Sequence, residues 1–387
     1  MAAPLLNGVL ALFVIAQLVE ARACRPTTSS PTPAPGATTP SPSTEVFATS
    51  DGVRFRVEVV ASSLEIPWSM AFAPDGRLFV TERPGRVRIL DPIARTMEVA
   101  LVLDDVSARG EAGLLGVALD PGFAQNRRVY LYYTAVVSGG AVNRVVRYRE
   151  VAGRLGERVV LLDNIPAATI HDGGRVRFGP DGLLYITAGD ANTAARAQDL
   201  ASLAGKFLRL TSDGTTPPGN PFSSPIYSYG HRNPQGLDWH PGTGALWASE
   251  HGQAGNDEIN IIEGGVNYGW PLIEGGQGRA GLATPIAFYA PASIAPSGAS
   301  FYTGQRFPLF SNDLFVGTLV GQHLLRLHLD TTERRIQFQE RLLAGRFGRI
   351  RDVVTGPDGY LYLCTSNRDG RGSPDATDDR ILRLVPA

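Results

Sequence analysis

One ten-residue pattern recurs along the chain and restricts the folds open to it. Phe72-Ala73-Pro74-Asp75-Gly76-Arg77-Leu78-Phe79-Val80-Thr81 is one copy, Phe178-Gly179-Pro180-Asp181-Gly182-Leu183-Leu184-Tyr185-Ile186-Thr187 a second, and Thr355-Gly356-Pro357-Asp358-Gly359-Tyr360-Leu361-Tyr362-Leu363-Cys364 a third. Looser copies begin at Leu119-Asp120-Pro121-Gly122-Phe123, at Trp239-His240-Pro241-Gly242 and at Phe310-Ser311-Asn312-Asp313. Each joins a tight turn to a buried strand. Pro presets φ, Asp bonds its own backbone and Gly takes positive φ. The aromatic and β-branched residues that follow suit a strand buried on both faces. The prolines recur at intervals of roughly 50 to 60 residues, a spacing typical of propeller blades. Counting the weakest copy gives six units, so the chain is expected to be all-β: a six-bladed β-propeller of four-stranded antiparallel blades. Arg380-Ile381-Leu382-Arg383-Leu384 is expected to close the ring by pairing with strand material near residues 53–60. An array of β-sandwiches is the alternative, but its periods run longer and it lacks this turn.

Composition agrees. The 387 residues include 44 Gly and 28 Pro, which favours a turn-rich β chain over a helical one. A formal net charge of -1 provides no global field favouring nucleic acid or anionic membranes. The two cysteines, Cys24 and Cys364, form no CxxC pair, which argues against a disulfide framework or a thiolate zinc site.

Residues 1–23 carry a short apolar run, Val9 to Ala16, ending in Ala21-Arg22-Ala23 before Cys24. This reads as an export signal, too short for a membrane span, although no Lys or Arg precedes the run. Cys24 directly before a polar segment is a candidate lipid anchor, with Arg22 unusual for such a cleavage box. Residues 24–44, rich in Pro, Thr and Ser, cannot bury enough surface to offset their ordering entropy and read as a disordered tether. The propeller is expected over 45–387, exported to the periplasm or envelope, or secreted.

Propellers host many functions, so the loops must decide. In Ile170-His171-Asp172-Gly173-Gly174-Arg175 a histidine stands on a glycine-flexible turn just before a strand. Imidazole is a ready proton acceptor near neutral pH. A lone loop histidine is more often merely solvated, but this one has company. Asp190, at the far end of the next strand, can orient an imidazole and stabilise its charged form, or simply make its turn. Arg232 and Asn233, in Gly230-His231-Arg232-Asn233-Pro234-Gln235-Gly236, supply a cationic fork and an amide suited to carboxylate or quinone oxygens. Glu250-His251-Gly252-Gln253 through Asn256-Asp257-Glu258-Ile259-Asn260 gathers oxygen ligands beside glycines, as a hard cation such as calcium prefers. Arg349 and Arg351, two apart on a strand, point to one face and repel unless an anion lies between them. Glu111, before a small apolar run, is by itself most simply a solvated carboxylate.

Taken together, His171-Asp172-Gly173-Gly174-Arg175, Gly230 to Gly236, Asp257-Glu258-Ile259-Asn260 with Asn267-Tyr268-Gly269-Trp270-Pro271, and Arg349-Ile350-Arg351-Asp352 resemble the glucose/sorbosone dehydrogenase family from about residue 55 onward. These are soluble quinoproteins that oxidise aldose sugars with pyrroloquinoline quinone (PQQ) and calcium on a six-bladed propeller. The resemblance implies that His171 is the base taking the C1 hydroxyl proton while hydride moves to the quinone. It implies that Asp190 holds the base and that Arg232 polarises the quinone oxygens. Cofactor contacts would come from Glu111, His171, Asp172, Gly173, Gly174, Arg175, Arg232, Asn233, Thr318, Leu319, Val320, Arg349, Ile350 and Arg351. Calcium would be held by Gly252, Gln253, Glu258 and Tyr268, the last through its backbone oxygen. Two positions depart from the family: Glu111 stands where many members have Gln, and Val320 where they have Lys or Arg. The second change removes a charge-assisted contact of about 1.5–3 kcal/mol.

Two other readings stay open on the residues alone. A calcium-dependent propeller lactonase needs a carboxylate-ligated metal on the channel axis and no arginine pair. A non-catalytic sugar- or partner-binding propeller needs no base at His171. No CxxCH haem motif is present, so a dehydrogenase of this kind passes electrons to a separate acceptor.

Overall fold

The computed structural model describes residues 45–387 apart from Thr331 and Glu333; the leader, Cys24 and the tether to residue 44 lie outside the described residues. Six antiparallel sheets follow one another round a ring. Blade one comprises Pro67–Phe72, Leu78–Glu82, Arg86–Asp91 and Thr96–Val102, from the axis outward. Blades two to five begin with the innermost strands Leu114–Leu119, Val176–Phe178, Pro234–Trp239 and Pro296–Phe301. Blade six runs Ile350–Thr355, Leu361–Thr365 and Ile381–Pro386, then takes its fourth strand, Arg54–Ala61, from the start of the domain. That strand pairs antiparallel with the last one, Val57 opposite Leu384, so the ring closes as the repeat required. The short strand Phe47–Ala48 adds a fifth to this blade.

The turn motif acts as its chemistry dictates. Gly76, Gly182 and Gly359 have φ of 89°, 73° and 80°, and each amide donates to the carbonyl three residues back at 2.9 Å. Asp181 and Asp358 also accept from Tyr185 and Tyr362 of the following strand, at 2.9 and 2.7 Å. At the loose copy after Asp120 the turn is replaced by a single helical turn, Phe123–Asn126.

The core is six clusters, each wedged between neighbouring blades. Phe79 and Val80, consecutive in one strand of blade one, are wholly buried but face opposite neighbours, blade two and blade six. This is the period-two alternation of strands packed on both faces. The innermost strands all begin on the same face of the ring. The loops leading into them, and the loops after each second strand, therefore converge there.

Candidate active site

His171 sits on the loop into Val176–Phe178 with φ of 63°, a left-handed conformation uncommon outside glycine. Three contacts hold it. Its amide donates to Glu111 Oε2 at 3.1 Å, its carbonyl accepts from Ala191 N at 3.1 Å, and its Nδ1 lies 2.9 Å from Asp190 Oδ1. With the carboxylate accepting, Nδ1 carries the proton. Nε2 then keeps a free lone pair, with no hydrogen-bond partner among the described residues. Asp190 is fixed in turn: its Oδ2 accepts from Trp270 Nε1 at 2.9 Å, and the Arg232 guanidinium lies 5.3 Å over the Trp270 ring. Trp270 and Arg232 thus complete a chain of contacts running from the imidazole to the cationic side of the site.

Glycines let this loop pack. A Cβ at Gly189 would lie 2.0 Å from the His171 carbonyl oxygen, and one at Gly173 2.7 Å from Thr187 O and Gly189 N. Asn233, fully buried, binds two segments together: Oδ1 accepts from Gly173 N at 3.1 Å and Nδ2 donates to Glu111 Oε2 at 3.2 Å. Glu111 is no solvated carboxylate. Arg371 Nη1 donates to its other oxygen at 2.7 Å. Burial alone would raise this carboxyl, but His251, Arg371 and the His171 amide together carry it down to about 2. It is therefore an anion already neutralised by the chain.

The arginine pair also finds an anion within the chain. Asp369 Oδ2 accepts from Arg349 Nε at 2.9 Å and Nη2 at 2.8 Å, and lies 3.7 Å from Arg351 Nη2. All three side chains are buried. The expected strand alternation is not what unites the two guanidiniums. The strand starts at Ile350 and its register slips between Ile350 and Asp352, so the shared Asp369 fixes them. Arg351 Nη1 also donates to Gln235 Oε1 at 2.7 Å. Burial pushes Arg351 down to about 10, with Asp369 opposing. His251 Nε2, Arg351 Nε, Arg232 Nε and Arg83 Nε are all buried without hydrogen-bond partners among the described residues. Burial lowers His251, while the Glu111 and Asp257 carboxylates oppose this. These orphaned nitrogens fit a flat polycarboxylate such as the quinone that the sequence suggests.

Beside Arg232 lies a narrow cleft of about 20 Å³, lined by Gly252, Glu258, Tyr268, Glu250, Glu274 and others. Burial and the nearby Glu250 raise Glu258 to about 7. Crowded carboxylates of this kind suit a divalent cation in charge. Among the described residues no three acidic or histidine side chains form a ready-made metal cage, so a cation here would draw on backbone carbonyls and water. The Tyr268 hydroxyl is already committed, donating to Ile261 O at 2.7 Å, which leaves only its carbonyl for that purpose.

Other side chains from the sequence reading lie elsewhere. The Asp172 carboxylate turns away onto Asn143 Nδ2 (2.8 Å) and Ala168 N (3.0 Å). Arg175 crosses the axis below the site, paired with Asp352 at 3.0 Å, bonded to Ser69 and Gln235, and 4.4 Å over Trp68. Gly174 donates its amide to Thr187 O within its own blade. Ile350 belongs to the core between blades five and six, and Leu319 is buried. Thr318 Oγ1 donates to His323 O at 2.7 Å. Val320 is 57% exposed, with its amide on Ile294 O, and Gln253 is exposed, outside the cleft lining. Sequence reasoning missed Asp369 and Arg371. The charged run Arg368-Asp369-Gly370-Arg371 in the loop after a strict repeat copy was the available signal.

The family model for glucose/sorbosone dehydrogenase matches residues 64–382. Aldose sugar dehydrogenase YliI of Escherichia coli is 38% identical over 338 residues, 81% of this chain and 91% of its own. Quinoprotein glucose dehydrogenase B of Acinetobacter calcoaceticus is 32% identical over 436 residues, 88% of this chain and 90% of its own. The PQQ-bound aldose sugar dehydrogenase of Streptomyces coelicolor superposes with a TM-score of 0.77 at 39% identity, covering 86% of this chain and 98% of that one. With the family model spanning residues 64–382 and similar sequence and propeller along most of its length, the chain belongs to the glucose/sorbosone dehydrogenase family.

Proposed function

We propose that this sugar dehydrogenase oxidises aldoses at C1 to the lactone, with PQQ as hydride acceptor and calcium beside it. The observation that carries the reading is the His171–Asp190 dyad facing a basin of guanidiniums with unpaired N–H groups. His171 Nε2 is the free acceptor for the C1 hydroxyl proton. Asp190, held by Trp270, stabilises the imidazolium as it forms. Arg349 and Arg351 would hold cofactor carboxylates, and Arg232 and Asn233 would face its quinone edge. The bound quinone supplies the two-electron acceptor that no side chain can provide. Arg232 favours the negative charge that develops there. Glu258 and the carbonyls of Gly252 and Tyr268 are the proposed calcium ligands, without the Gln253 that the sequence also suggested, which lies outside the cleft.

The lactonase alternative is weakened by the axis itself, where Arg175 and Arg351 stand and Asp352 is consumed by Arg175 and the Met70 amide. Export, lipidation at Cys24 and a separate electron acceptor are further parts of the proposal.

The test is reconstitution. Purified chain is supplied with PQQ and calcium, and dye reduction is followed with a panel of aldoses. Turnover that needs both additions and falls at least about 100-fold in His171→Ala supports the reading. Turnover untouched by that substitution, or no PQQ binding by absorbance titration, would sink it and favour a non-catalytic propeller.

A further inference from the structure

Five guanidiniums stand on this face, those of Arg83, Arg232, Arg349, Arg351 and Arg371, with two carboxylates, Asp369 and Glu111, among them. Arg349 is committed to Asp369 and Arg371 to Glu111. Arg83 is different. It lies in the loop after Leu78–Glu82, its Nε is buried with no hydrogen-bond partner, and no carboxylate lies within ion-pair distance of it among the described residues. Its backbone is rigid: the amide donates to Ile66 O at 2.9 Å and the carbonyl accepts from Leu114 N at 2.8 Å, spanning blades one and two. Its stem lies against Gly113, where a Cβ would come within 2.6 Å of Arg83 Cγ. Burial opposes its charge, Asp369 and Glu111 favour it, and Arg371 opposes it again. A fixed, half-buried cation left without a partner is costly unless a ligand supplies the anion.

We infer that Arg83 contacts the ligand: its guanidinium recognises a carboxylate of an anionic cofactor, completing a polycarboxylate site with Arg349 and Arg351. The inference rests on the quinone reading above. It also accounts for how a site whose blade-five loop presents the uncharged Val320 can carry a surplus of positive charge.

The experiment titrates the full chain, Arg83→Gln and Arg83→Lys with PQQ in the presence of calcium, and separately with benzene-1,3,5-tricarboxylate. Intrinsic tryptophan fluorescence is followed at several ionic strengths. Arg83→Gln is expected to weaken PQQ about tenfold or more at an unchanged melting temperature, with a flatter salt dependence, and Arg83→Lys to lose less. Equal affinity and salt dependence in wild type and Arg83→Gln overturn the inference. If Arg83→Gln fails to fold, the decision passes to Arg83→Lys, and wild-type affinity and salt dependence in that variant overturn it. Wild-type protein that binds the tricarboxylate through Arg83 but ignores PQQ keeps the anion site and removes the quinone reading. Wild-type protein that binds neither removes both.

Discussion

At the scale of single residues, the site stores strain and places opposite electrostatic demands on neighbouring carboxyls. A left-handed φ at a non-glycine residue costs on the order of 1–3 kcal/mol and persists only where the surroundings over-determine it. Glu111, Ala191 and Asp190 provide that restraint at His171. Its neighbour Asp172 is pushed from 3.8 to about 7, chiefly by burial, while bonds from Asn143 and Ala168 only partly oppose this. The sign follows. The folded state holds the Asp172 proton more tightly than the unfolded chain does. Its contribution to stability is therefore fully present below about pH 4 and lost as pH rises through about 7. Asp172→Asn keeps the acceptor oxygen for both bonds and removes the titration. Its melting temperature relative to wild type should accordingly climb between pH 5 and pH 8.5. A difference that stays flat across that range would show that the Asp172 proton plays no part in stability.

At the scale of elements, the strands supply walls and the loops at their site-side ends supply chemistry. Every side chain of the dyad and the basin sits at, or just beyond, a strand end on one face, where rigid ladders fix the backbone and water can still enter. The fit between the loop carrying His171 and the loop carrying Asp190 depends on Gly189. Gly189→Ala would force a methyl against the His171 carbonyl and should cost on the order of 1–3 kcal/mol in thermal stability, displacing the imidazole from Asp190. Reconstituted turnover should fall far more than the folded fraction does. Full activity in that variant would mean the two loops are not held as rigidly as their contact implies. The repeat turns, by contrast, lie at the opposite ends of the innermost strands and can be read as scaffold alone.

At the scale of the whole molecule, stability depends on a closed ring, because each cluster of the core needs blades on both sides. Phe55 and Val57 of the closing strand fill the cluster between blades five and six, and Val60 the one between six and one. A chain starting at Glu45 should melt cooperatively like the full chain. One starting at Leu64 should leave Ile381–Pro386 as an open edge and aggregate or unfold without cooperativity. Cooperative melting of the shorter chain by calorimetry would show that closure is dispensable. This closure, the six units and the all-β class were legible in the sequence, because a Pro-Asp-Gly turn and an alternating strand are local physics that repeats. His171 with Asp190 was legible too, since a single hairpin, Val176–Phe178 with Leu184–Ala188, separates them. Asp369 between the arginines, Arg371 on Glu111, Trp270 behind Asp190 and the turning away of Asp172 were not. Arg371 on Glu111 and Trp270 behind Asp190 are meetings of side chains from different blades, Asp369 reaches the arginines from another loop of their own blade, and Asp172 turns away within one loop. The sequence by itself determined the repeating unit, its number and the kinds of side chain its loops present. Only the tertiary structure decided which charges are already neutralised within the chain and which are left for a ligand, because the ring brings together residues hundreds of positions apart.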